Sequence, residues 1–422
     1  MGIIPENLTL PKFSIGVGDR FAHQAKAQLA ACRKAAEAGV EVIPVWNKSH
    51  REHTIIGSEP AHARAAVDSA VKESGWTSPY FLDADHIDLT TAKRFIDPCD
   101  FFTMDVAGSI GKPPKEEDVI AFHAAHPELI GNVTIAGIDK PFQIDRAFVE
   151  GVAQKFLCAI KQAGEIYRFV LENKGSGRFI PEISMDETEF PQTPPELLII
   201  LAMIADEKIP IQTIAPKFTG RFNKGVDYAG DVNQFAREFE QDLATIACAV
   251  KKYGLPANLK LSVHTGSDKF SIYPSMHRAI KKFDAGVHLK TAGTTWLEEL
   301  TGLAESGSGL ELAKEIYIEA LAHTTELTGP YANVIDIDES KLPSAEEVKG
   351  WTVEQYTSAL RNDRTNPAYN PSLRQLLHVG FKVAAEMGPR YLQALEENAD
   401  IIARNVTANL WERHIRPVFV GA

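Results

Sequence analysis

The chain has 422 residues, of which 44% are hydrophobic and 24% are charged, and its formal net charge is -12 at pH 7. This composition is typical of a folded protein with a large hydrophobic core, and it excludes wholesale disorder. The negative charge, without any run of lysine or arginine, disfavours nucleic acid and anionic membrane surfaces as partners, whereas a few convergent lysines can still attract a small anion.

Eight short β-rich runs alternate with amphipathic segments, which is typical of parallel strands followed by crossover helices. A spare run, Val133–Ala136, can replace a neighbour. Eight units favour an α/β fold of the (β/α)8 TIM-barrel type over a doubly wound open sheet. The predicted strands are Phe13–Gly18, Val42–Trp46, Tyr80–Ala84, Phe101–Val106, Phe179–Ser184, Ile209–Ala215, Leu259–His264 and Val287–Thr291.

Helical patterns fill the segments between and after these strands, and glycines follow two of them as stop signals. The predicted helices are Arg20–Glu37, Lys115–Ala125, Phe148–Glu172, Asp231–Tyr253 and a tail, Leu373–Arg413, interrupted at Gly388-Pro389. We therefore predict a catalytic barrel over residues 1–372, with a helical insertion around residues 107–178. A C-terminal helical extension, residues 373–422, is expected to pack on the barrel.

The four cysteines lie far apart and form no CxxC pair, so neither a disulfide framework nor a cysteine zinc site is expected. The N-terminal segment lacks a basic stretch followed by an apolar one, and no later segment is apolar enough to span a bilayer. We expect a cytoplasmic protein, and the sequence leaves its oligomeric state open.

Three histidines belong to three predicted strands whose carboxyl ends meet at one mouth of the barrel, where barrel enzymes place their active sites. His86, His264 and His288 can supply neutral imidazole ligands to a divalent cation. Zinc is the first candidate, with nickel, manganese and cobalt as alternatives. Each histidine can instead be a hydrogen-bonded core residue. Further ligand candidates at the same strand ends are Asp83, Asp85 and Glu182.

Carboxylates also follow two of the predicted strands. Asp85 ends the third strand, and Glu182, Asp186 and Glu187 lie at the end of the fifth. Carboxylates at two strand ends can accept and donate protons on two faces of a bound sugar, as inversion of a stereocentre requires. Glu187 is preferred as the second group because it begins the following loop, although Asp186 or Glu187 can instead cap a helix or bind a lysine.

Polar residues near the same strand ends are candidates for binding substrate. Lysines there can bind a carboxylate or hydroxyl groups, but they can also form salt bridges at the rim. A Schiff-base lysine, which barrel aldolases use, is a competing hypothesis, and it predicts activity that survives the removal of metal. The candidates are Lys217, Ser267, Asp268, Lys269 and Lys290.

Two other signals point away from further sites. Gly16 and Gly18 open a dinucleotide-binding pattern, but Phe21 stands where its third glycine belongs, so NAD is not supported. His378 on the tail is assigned to the core or rim, unless the tail folds over the barrel mouth.

Three segments resemble the tagaturonate epimerase family, including its members similar to tagatose 4-epimerase. They are Leu82–His86, Ser184–Pro194 and Val263–Pro274, and the tail segment His378–Lys382 is similar too. The likeness extends from the third strand to the tail. It implies a divalent-metal isomerase that interconverts tagaturonate and fructuronate, with related members acting on the neutral ketoses tagatose and fructose.

Carried over by position, the resemblance suggests Asp85 as proton acceptor, a carboxylate near Glu187 as donor, and His86, His264 and His288 as metal ligands. The inverted carbon, C4, is β to the ketone, so simple enolisation cannot epimerise it. We therefore expect retro-aldol cleavage and re-formation of the adjacent bond. The alternatives are a metal-dependent ketose isomerase or 3-epimerase acting through an enediol, and a non-catalytic protein that binds sugar acids.

Overall fold

The computed structural model describes residues 7–421, and at its centre eight parallel strands close into a barrel. Around the barrel the strand order is β1, β10, β9, β8, β7, β4, β3 and β2, while β5 and β6 form a separate antiparallel pair. The strands are β1 (Phe13–Val17), β2 (Ile43–Ser49), β3 (Phe81–Ile87), β4 (Phe101–Asp105), β5 (Gly131–Val133), β6 (Phe142–Ile144), β7 (Ile180–Ser184), β8 (Thr213–Ala215), β9 (Lys260–His264) and β10 (Val287–Lys290).

The predicted (β/α)8 barrel is confirmed, and each of the eight predicted runs overlaps one barrel strand, although β2 and β3 extend three residues beyond their predicted ends. The spare run at Val133–Ala136 overlaps β5, which pairs with β6 and not with the barrel. Residues 1–6 and 422 belong to the N-terminal segment and to the predicted end of the C-terminal extension, and they lie outside the described range.

Helices cover the outside of the barrel, which explains why the strands are almost continuously buried. The helices that follow barrel strands are α1 (Ala25–Glu37), α2 (His50–Ile56), α3 (Pro60–Glu73), α4 (Glu116–Ala125), α5 (Arg146–Lys174), α6 (Pro194–Asp206), α7 (Val232–Tyr253), α8 (Tyr273–Phe283) and α9 (Thr294–Glu305). Short 3-10 turns lie at Ala92–Phe95, Ala107–Ser109, Pro127–Leu129, Phe270–Ile272, Gly329–Val334 and Glu339–Lys341.

Local chemistry sets the ends of two predicted helices. The helix predicted from Arg20 begins at Ala25, because Ala22 has a φ of 60° and cannot continue a right-handed helix. Asp231 caps α7 by accepting hydrogen bonds from the backbone of Asn233 and Gln234. Gly254 ends α7 in the left-handed conformation, with a φ of 69°, as its position predicts.

After α9 the described chain consists of helices joined by loops up to Val420, without a further strand in the described residues. The helices are α10 (Leu310–Ala322), α11 (Thr324–Thr328), α12 (Ala345–Lys349), α13 (Val353–Leu360), α14 (Pro371–Val379), α15 (Phe381–Glu386), α16 (Pro389–Glu397), α17 (Ala399–Ala408) and a final π-helical segment, Asn409–Val420. Helices α10 to α13 fall in residues that we assigned to the barrel, so the boundary at residue 373 stays a prediction. Among residues 7–421, no helix has both the length and the apolar character that crossing a bilayer requires.

The barrel interior changes from apolar to polar along its axis. At the amino ends of the strands, one cluster contains only apolar side chains, including Ile43, Phe101 and Ile180. Toward the carboxyl ends, the interior contains Thr103 and Glu182, which hydrogen bond to each other at 3.1 Å. The fold therefore collects ionisable side chains at one end of the barrel.

Candidate active site and metal centre

A cavity of about 400 Å³ opens at the carboxyl ends of the barrel strands. Its wall includes side chains from five strand ends, those of β2, β3, β4, β9 and β10, and from the loops that follow barrel strands. This volume lies within the range of pockets that bind small molecules. Among the predicted site residues, those that line it are Asp85, His86, Asp186, Glu187, Lys217, His264 and Lys290.

His86 reaches this cavity because β3 is irregular. In a regular strand, alternate side chains point to opposite faces, so Asp85 and His86 would not both face the barrel interior. The register between β3 and β4 shifts between Ala84 and Ile87, and His86 has a φ of 50°. The irregularity brings the His86 ring to 5.4 Å from the His264 ring. A left-handed residue with a side chain costs roughly 1–2 kcal/mol, so neighbouring contacts must hold it there.

His86, Asp186 and His264 form a group that can hold a metal ion. Each offers one ligand atom, and these atoms all lie within 4.8 Å of one another. Imidazole nitrogen and carboxylate oxygen together suit zinc and other first-row divalent ions. From the sequence, Asp186 is a candidate only for an acid or base. Its position beside the two histidines is visible only in the folded structure.

The environment of His264 fits a bound cation. Its Nε2 lies 2.9 Å from Glu182 Oε1, and its Nδ1 lies 3.2 Å from Asp186 Oδ2. A neutral ring that donates from Nε2 presents the lone pair of Nδ1 toward the Asp186 carboxylate, and this pairing is repulsive without a positive charge. Nδ1 of His264 and Nδ1 of His86 are both buried without a hydrogen bond in residues 7–421. The residues therefore fit a divalent ion.

The carboxylates around these two histidines favour positively charged imidazoles. Burial opposes a charge on His264, but Asp186 and Glu182 outweigh it and raise its pKa to about 8. Burial likewise opposes a charge on His86, whose pKa is raised well above its ordinary value by Asp85 and by Asp105. Asp105, at the end of β4, lies 3.5 Å from His86 Nδ1. The carboxylates at this end of the barrel thus favour cations.

Lys290 is surrounded by carboxylates beneath this group. Its Nζ lies 2.8 Å from Asp83 Oδ2, 2.8 Å from Asp85 Oδ1 and 3.1 Å from Glu182 Oε1. Burial alone would lower the pKa of Lys290, but these carboxylates raise it well above its ordinary value. A Schiff base requires a neutral amine, so this environment is unsuited to the Schiff-base hypothesis for Lys290.

The same contacts give the two aspartates of β3, Asp83 and Asp85, different pKa values. Burial raises the pKa of Asp83 to about 6 despite Lys290. For Asp85, burial acts in the same direction, but Lys290 and His86 outweigh it and lower the pKa to about 2. Asp85, which lines the cavity, is therefore ionised at neutral pH.

His288 lies deeper in the barrel than the other two histidines. It precedes Lys290 by two residues on the same face of β10, and it is fully buried. Its Nδ1 is 2.8 Å from Ser14 Oγ, and its ring lies 5.3 Å from the Phe101 ring. Burial lowers its pKa to about 3. The structure does not bring His288 to the cavity with His86 and His264.

Ser267, Asp268 and Lys269 are fully buried and bind other parts of the protein. Ser267 Oγ accepts a hydrogen bond from the backbone of Gly225 at 2.8 Å. Lys269 Nζ donates to the carbonyl of Val226 at 2.8 Å and also to that of Asn223 at 3.0 Å. These contacts hold the loop after β8 against β9, and none of the three residues lines the cavity.

Asp268 connects the end of β9 to the C-terminal helices. Its carboxylate accepts hydrogen bonds from Arg374 at 2.7 Å, Thr294 at 3.0 Å and Asn362 at 3.2 Å. His414 Nε2 lies 3.3 Å from the same carboxylate. These partners belong to α9, to the loop after α13, to α14 and to the final helical segment, and none of them lines the cavity.

Glu187 and Lys217 lie in the loops at the cavity, as predicted from their positions. The Glu187 side chain is exposed. Lys217 is half-buried, and its Nζ donates to the carbonyl of Thr188. Both groups are therefore available at the opening above the histidines.

Several cavity residues have no strand-end signal in the sequence. Arg20 lies in the loop after β1, and Lys224 lies in the loop after β8. Asp105 does end a strand and could have been identified by the same reasoning that identified Asp85. His378 comes from α14, so this part of the tail reaches the cavity at the barrel mouth.

Comparisons with known proteins agree with this architecture. Residues 2–409 match the model of a family described as UxaE, tagaturonate epimerase. The chain is 27% identical over 418 residues to a tagaturonate/fructuronate epimerase of Thermotoga maritima, covering 95% of this chain and 80% of that protein.

Crystal structures of the fructuronate-tagaturonate epimerase UxaE from Cohnella laeviribosi share the fold. The native structure has a TM-score of 0.81 at 23% identity, covering 98% of this chain and 83% of that chain. The complex with one glycerol has a TM-score of 0.82 over the same shares of the two chains, also at 23% identity. The resemblance seen in the sequence is confirmed, and the chain belongs to the tagaturonate epimerase family of isomerases.

Proposed function

We propose that this protein is a divalent-metal-dependent epimerase that interconverts tagaturonate and fructuronate by inverting C4 of the ketose. Its family membership supports the reaction class, and the cavity volume of about 400 Å³ suits a six-carbon sugar acid. The observation that carries the proposal is the position of His264 between two carboxylates, within a group of three metal-ligand side chains.

In this proposal His86, His264 and Asp186 hold the cation, and Glu182 orients His264 from behind. Zinc suits this donor set, as do nickel, manganese and cobalt. When bound, a divalent ion supplies Lewis-acid stabilisation of the oxygen anion that develops on the ketose. Lys290 keeps Asp85 ionised beside the site, because its Nζ is 2.8 Å from Asp85 Oδ1.

Inversion proceeds by cleavage and re-formation of the C3–C4 bond. Asp85 accepts the proton of the C4 hydroxyl, and the C3–C4 electron pair moves toward the C2 carbonyl to give an enediolate and an aldehyde. The aldehyde turns its other face to C3, the bond forms again, and the C2 carbonyl is restored. Glu187 then donates a proton to the C4 oxygen. In the opposite direction the two carboxyl groups exchange roles.

Asp85 and Glu187 are suited to these parts by their different surroundings. Asp85 is buried and ionised, so it is ready to accept a proton. Glu187 is exposed at the loop after β7, so it can exchange its proton with water. They belong to two strand ends separated by β4, so they approach a ligand from different sides of the cavity mouth.

The test is an NMR assay of tagaturonate, fructuronate, tagatose and fructose in deuterated water, with metal-free and metal-restored protein. We expect the metal-restored protein to convert tagaturonate and fructuronate into each other without placing deuterium on carbon. Turnover that is unaffected by metal removal would contradict the metal requirement. Deuterium on C3 would favour a 3-epimerase, deuterium on C1 an isomerase acting through an enediol, and binding without turnover a sugar-acid binding protein.

A further inference from the structure

A second group of side chains in the same cavity is basic. It consists of Arg20 in the loop after β1, Arg51 in α2, Lys224 in the loop after β8, and His378 in α14. We call these four residues the basic wall. No residue of this group belongs to a barrel strand, and the reaction proposed above uses none of them.

Arg20 is buried but incompletely paired. Its side chain is only 7% exposed, and its guanidinium lies 4.3 Å from the centre of the Phe381 ring. Its Nε lies 3.2 Å from Glu52 Oε1. Glu52 also accepts a hydrogen bond from the backbone of Ser49, and Nε and Nη1 of Arg20 have no hydrogen bond in residues 7–421. A buried guanidinium with unused donors is costly unless a ligand completes its contacts.

Lys224 and Arg51 share one aromatic partner. Lys224 Nζ lies 5.5 Å and the Arg51 guanidinium 4.6 Å from the centre of the Tyr331 ring. Within residues 7–421, neither cation has a carboxylate oxygen within 4.0 Å. Glu187 acts on Lys224 only from beyond this distance. The basic wall therefore contains three cations, Arg20, Arg51 and Lys224. Within the described residues, the only carboxylate paired with any of them is that of Glu52.

His378 is a neutral member of the same wall. It is 2% exposed, and its Nε2 has no hydrogen bond within the described chain. Burial holds its pKa well below the ordinary value, and Arg20 and Lys224 act in the same direction. A neutral imidazole keeps one N–H donor and so can bind an anion beside the cations.

We propose that the basic wall binds the carboxylate of the sugar acid and thereby selects uronates over neutral ketoses. The proposal rests on the function proposed above, since it places the ketone and hydroxyl groups of the same substrate at the metal centre. The cavity then has two unlike regions, one rich in carboxylates and one rich in cations. A neutral ketose carries a hydroxymethyl group in place of the carboxylate and leaves the cations unpaired, which disfavours its binding.

Lys224→Gln is the most informative variant, because Lys224 forms no ion pair with residues 7–421 that its loss would disturb. We expect the dissociation constant of tagaturonate, measured by titration calorimetry on the metal-restored protein, to rise by about 10–100-fold, since a charge-assisted hydrogen bond contributes about 1.5–3 kcal/mol. The dissociation constant of tagatose should change less than about threefold. Lys224→Arg should restore most of the affinity because it keeps the charge.

Arg390→Gln is the matched control. It removes the same charge at an exposed side chain that is paired with Glu315, and it should leave both dissociation constants unchanged. Arg20→Gln combined with Glu52→Gln is the second test, because the pair of changes leaves no unpaired charge behind. It should weaken tagaturonate binding at least tenfold, with the same small effect on tagatose.

Equal weakening of tagaturonate and tagatose in the Lys224→Gln protein would overturn the proposal, as would unchanged affinity for both. These results differ from a failure of the proposed function. That failure would be visible in the unmodified protein as binding without epimerisation, whereas the basic wall is judged from binding alone.

Discussion

Position, rather than residue type, separates the three histidines that the sequence offers as metal ligands. His264 contacts two carboxylates beside the cavity, whereas His288 contacts the Ser14 hydroxyl one layer below. The ring beside Glu182 and Asp186 is arranged to take a positive charge, but the ring beside Ser14 is kept neutral by burial, with a pKa of about 3. We therefore expect opposite effects when each histidine is replaced.

His264→Ala should lower metal affinity by at least about 100-fold, because even the loss of an outer contact to a ligand costs about 10–100-fold. Epimerase activity should be lost with it. His288→Asn should keep a full complement of metal when both proteins are analysed by mass spectrometry of bound metal after dialysis. Full metal content in the His264→Ala protein would remove His264 from the proposed ligand set.

At His86 the backbone conformation affects the stability of the protein independently of the imidazole. Its φ of 50° is disfavoured for any residue with a Cβ but not for glycine. His86→Gly should therefore be more stable than His86→Ala by about 1 kcal/mol in urea unfolding, since both variants lose the imidazole and only one relieves the strain. Equal stability of the two variants would mean that β3 relaxes when the imidazole is removed.

Among the structural elements, the strands are the part best predicted from the sequence. Their buried, β-rich runs are regular enough to indicate all eight, and the start of α7 at Asp231 and its end at Gly254 have direct local causes. The register between strands is not encoded in any one run, which is why His288 was assigned to the mouth although it lies a layer deeper. The group of His86, Asp186 and His264 likewise depends on a register shift in β3 that no local pattern reveals.

Loop and tail elements complete the cavity, and no pattern in their own sequence places them there. Arg20 and Lys224 follow strands at different distances, and His378 comes from α14. Gly293 permits the close approach of the His378 ring, since a Cβ there would lie 1.9 Å from His378 Nε2 and 2.6 Å from the backbone carbonyl oxygen of Gly266. The element that brings His378 to the mouth is thus fitted against a residue without a side chain.

Gly293→Ala should therefore displace α14 and destabilise the protein by about 1–3 kcal/mol, because the added methyl group has no space. Gly350→Ala is the matched control, since its added Cβ would be 3.5 Å from the nearest atom, the carbonyl oxygen of Glu347. Thermal unfolding should show a lower midpoint for the first variant and a change within experimental error for the second. An unchanged midpoint for Gly293→Ala would show that α14 can move without cost.

At the scale of the whole molecule, a buried network joins the barrel to the helices that follow it. Asp268 at the end of β9 binds Arg374 of α14 and lies next to His414 of the final helical segment. Both Asp268 and Arg374 are fully buried. Although burial acts to raise it, the pKa of Asp268 lies below its ordinary value of 3.8, because Arg374 and His414 favour the carboxylate.

Asp268→Asn should lower the free energy of unfolding at pH 7 by about 3–5 kcal/mol, because it leaves Arg374 buried without its charge partner. A lowered carboxylate pKa stabilises the fold above pH 3.8, and this contribution is lost as the pH falls toward the folded-state pKa. Urea unfolding from pH 7 to pH 3 should therefore show a steeper loss in the unmodified protein than in the variant. Asp336→Asn, which affects the exposed pair with Arg221, is the control and should change stability by less than about 1 kcal/mol.

The contribution of α14 to the cavity has a consequence for the order in which the protein is made. Every barrel strand precedes Thr291 in the chain, whereas His378 is translated long after the last of them. All the barrel strands, with their carboxylates and imidazoles, are therefore synthesised before His378, the last residue of the basic wall. If the basic wall binds substrate as proposed, the polypeptide completes its binding site only after α14 has been synthesised.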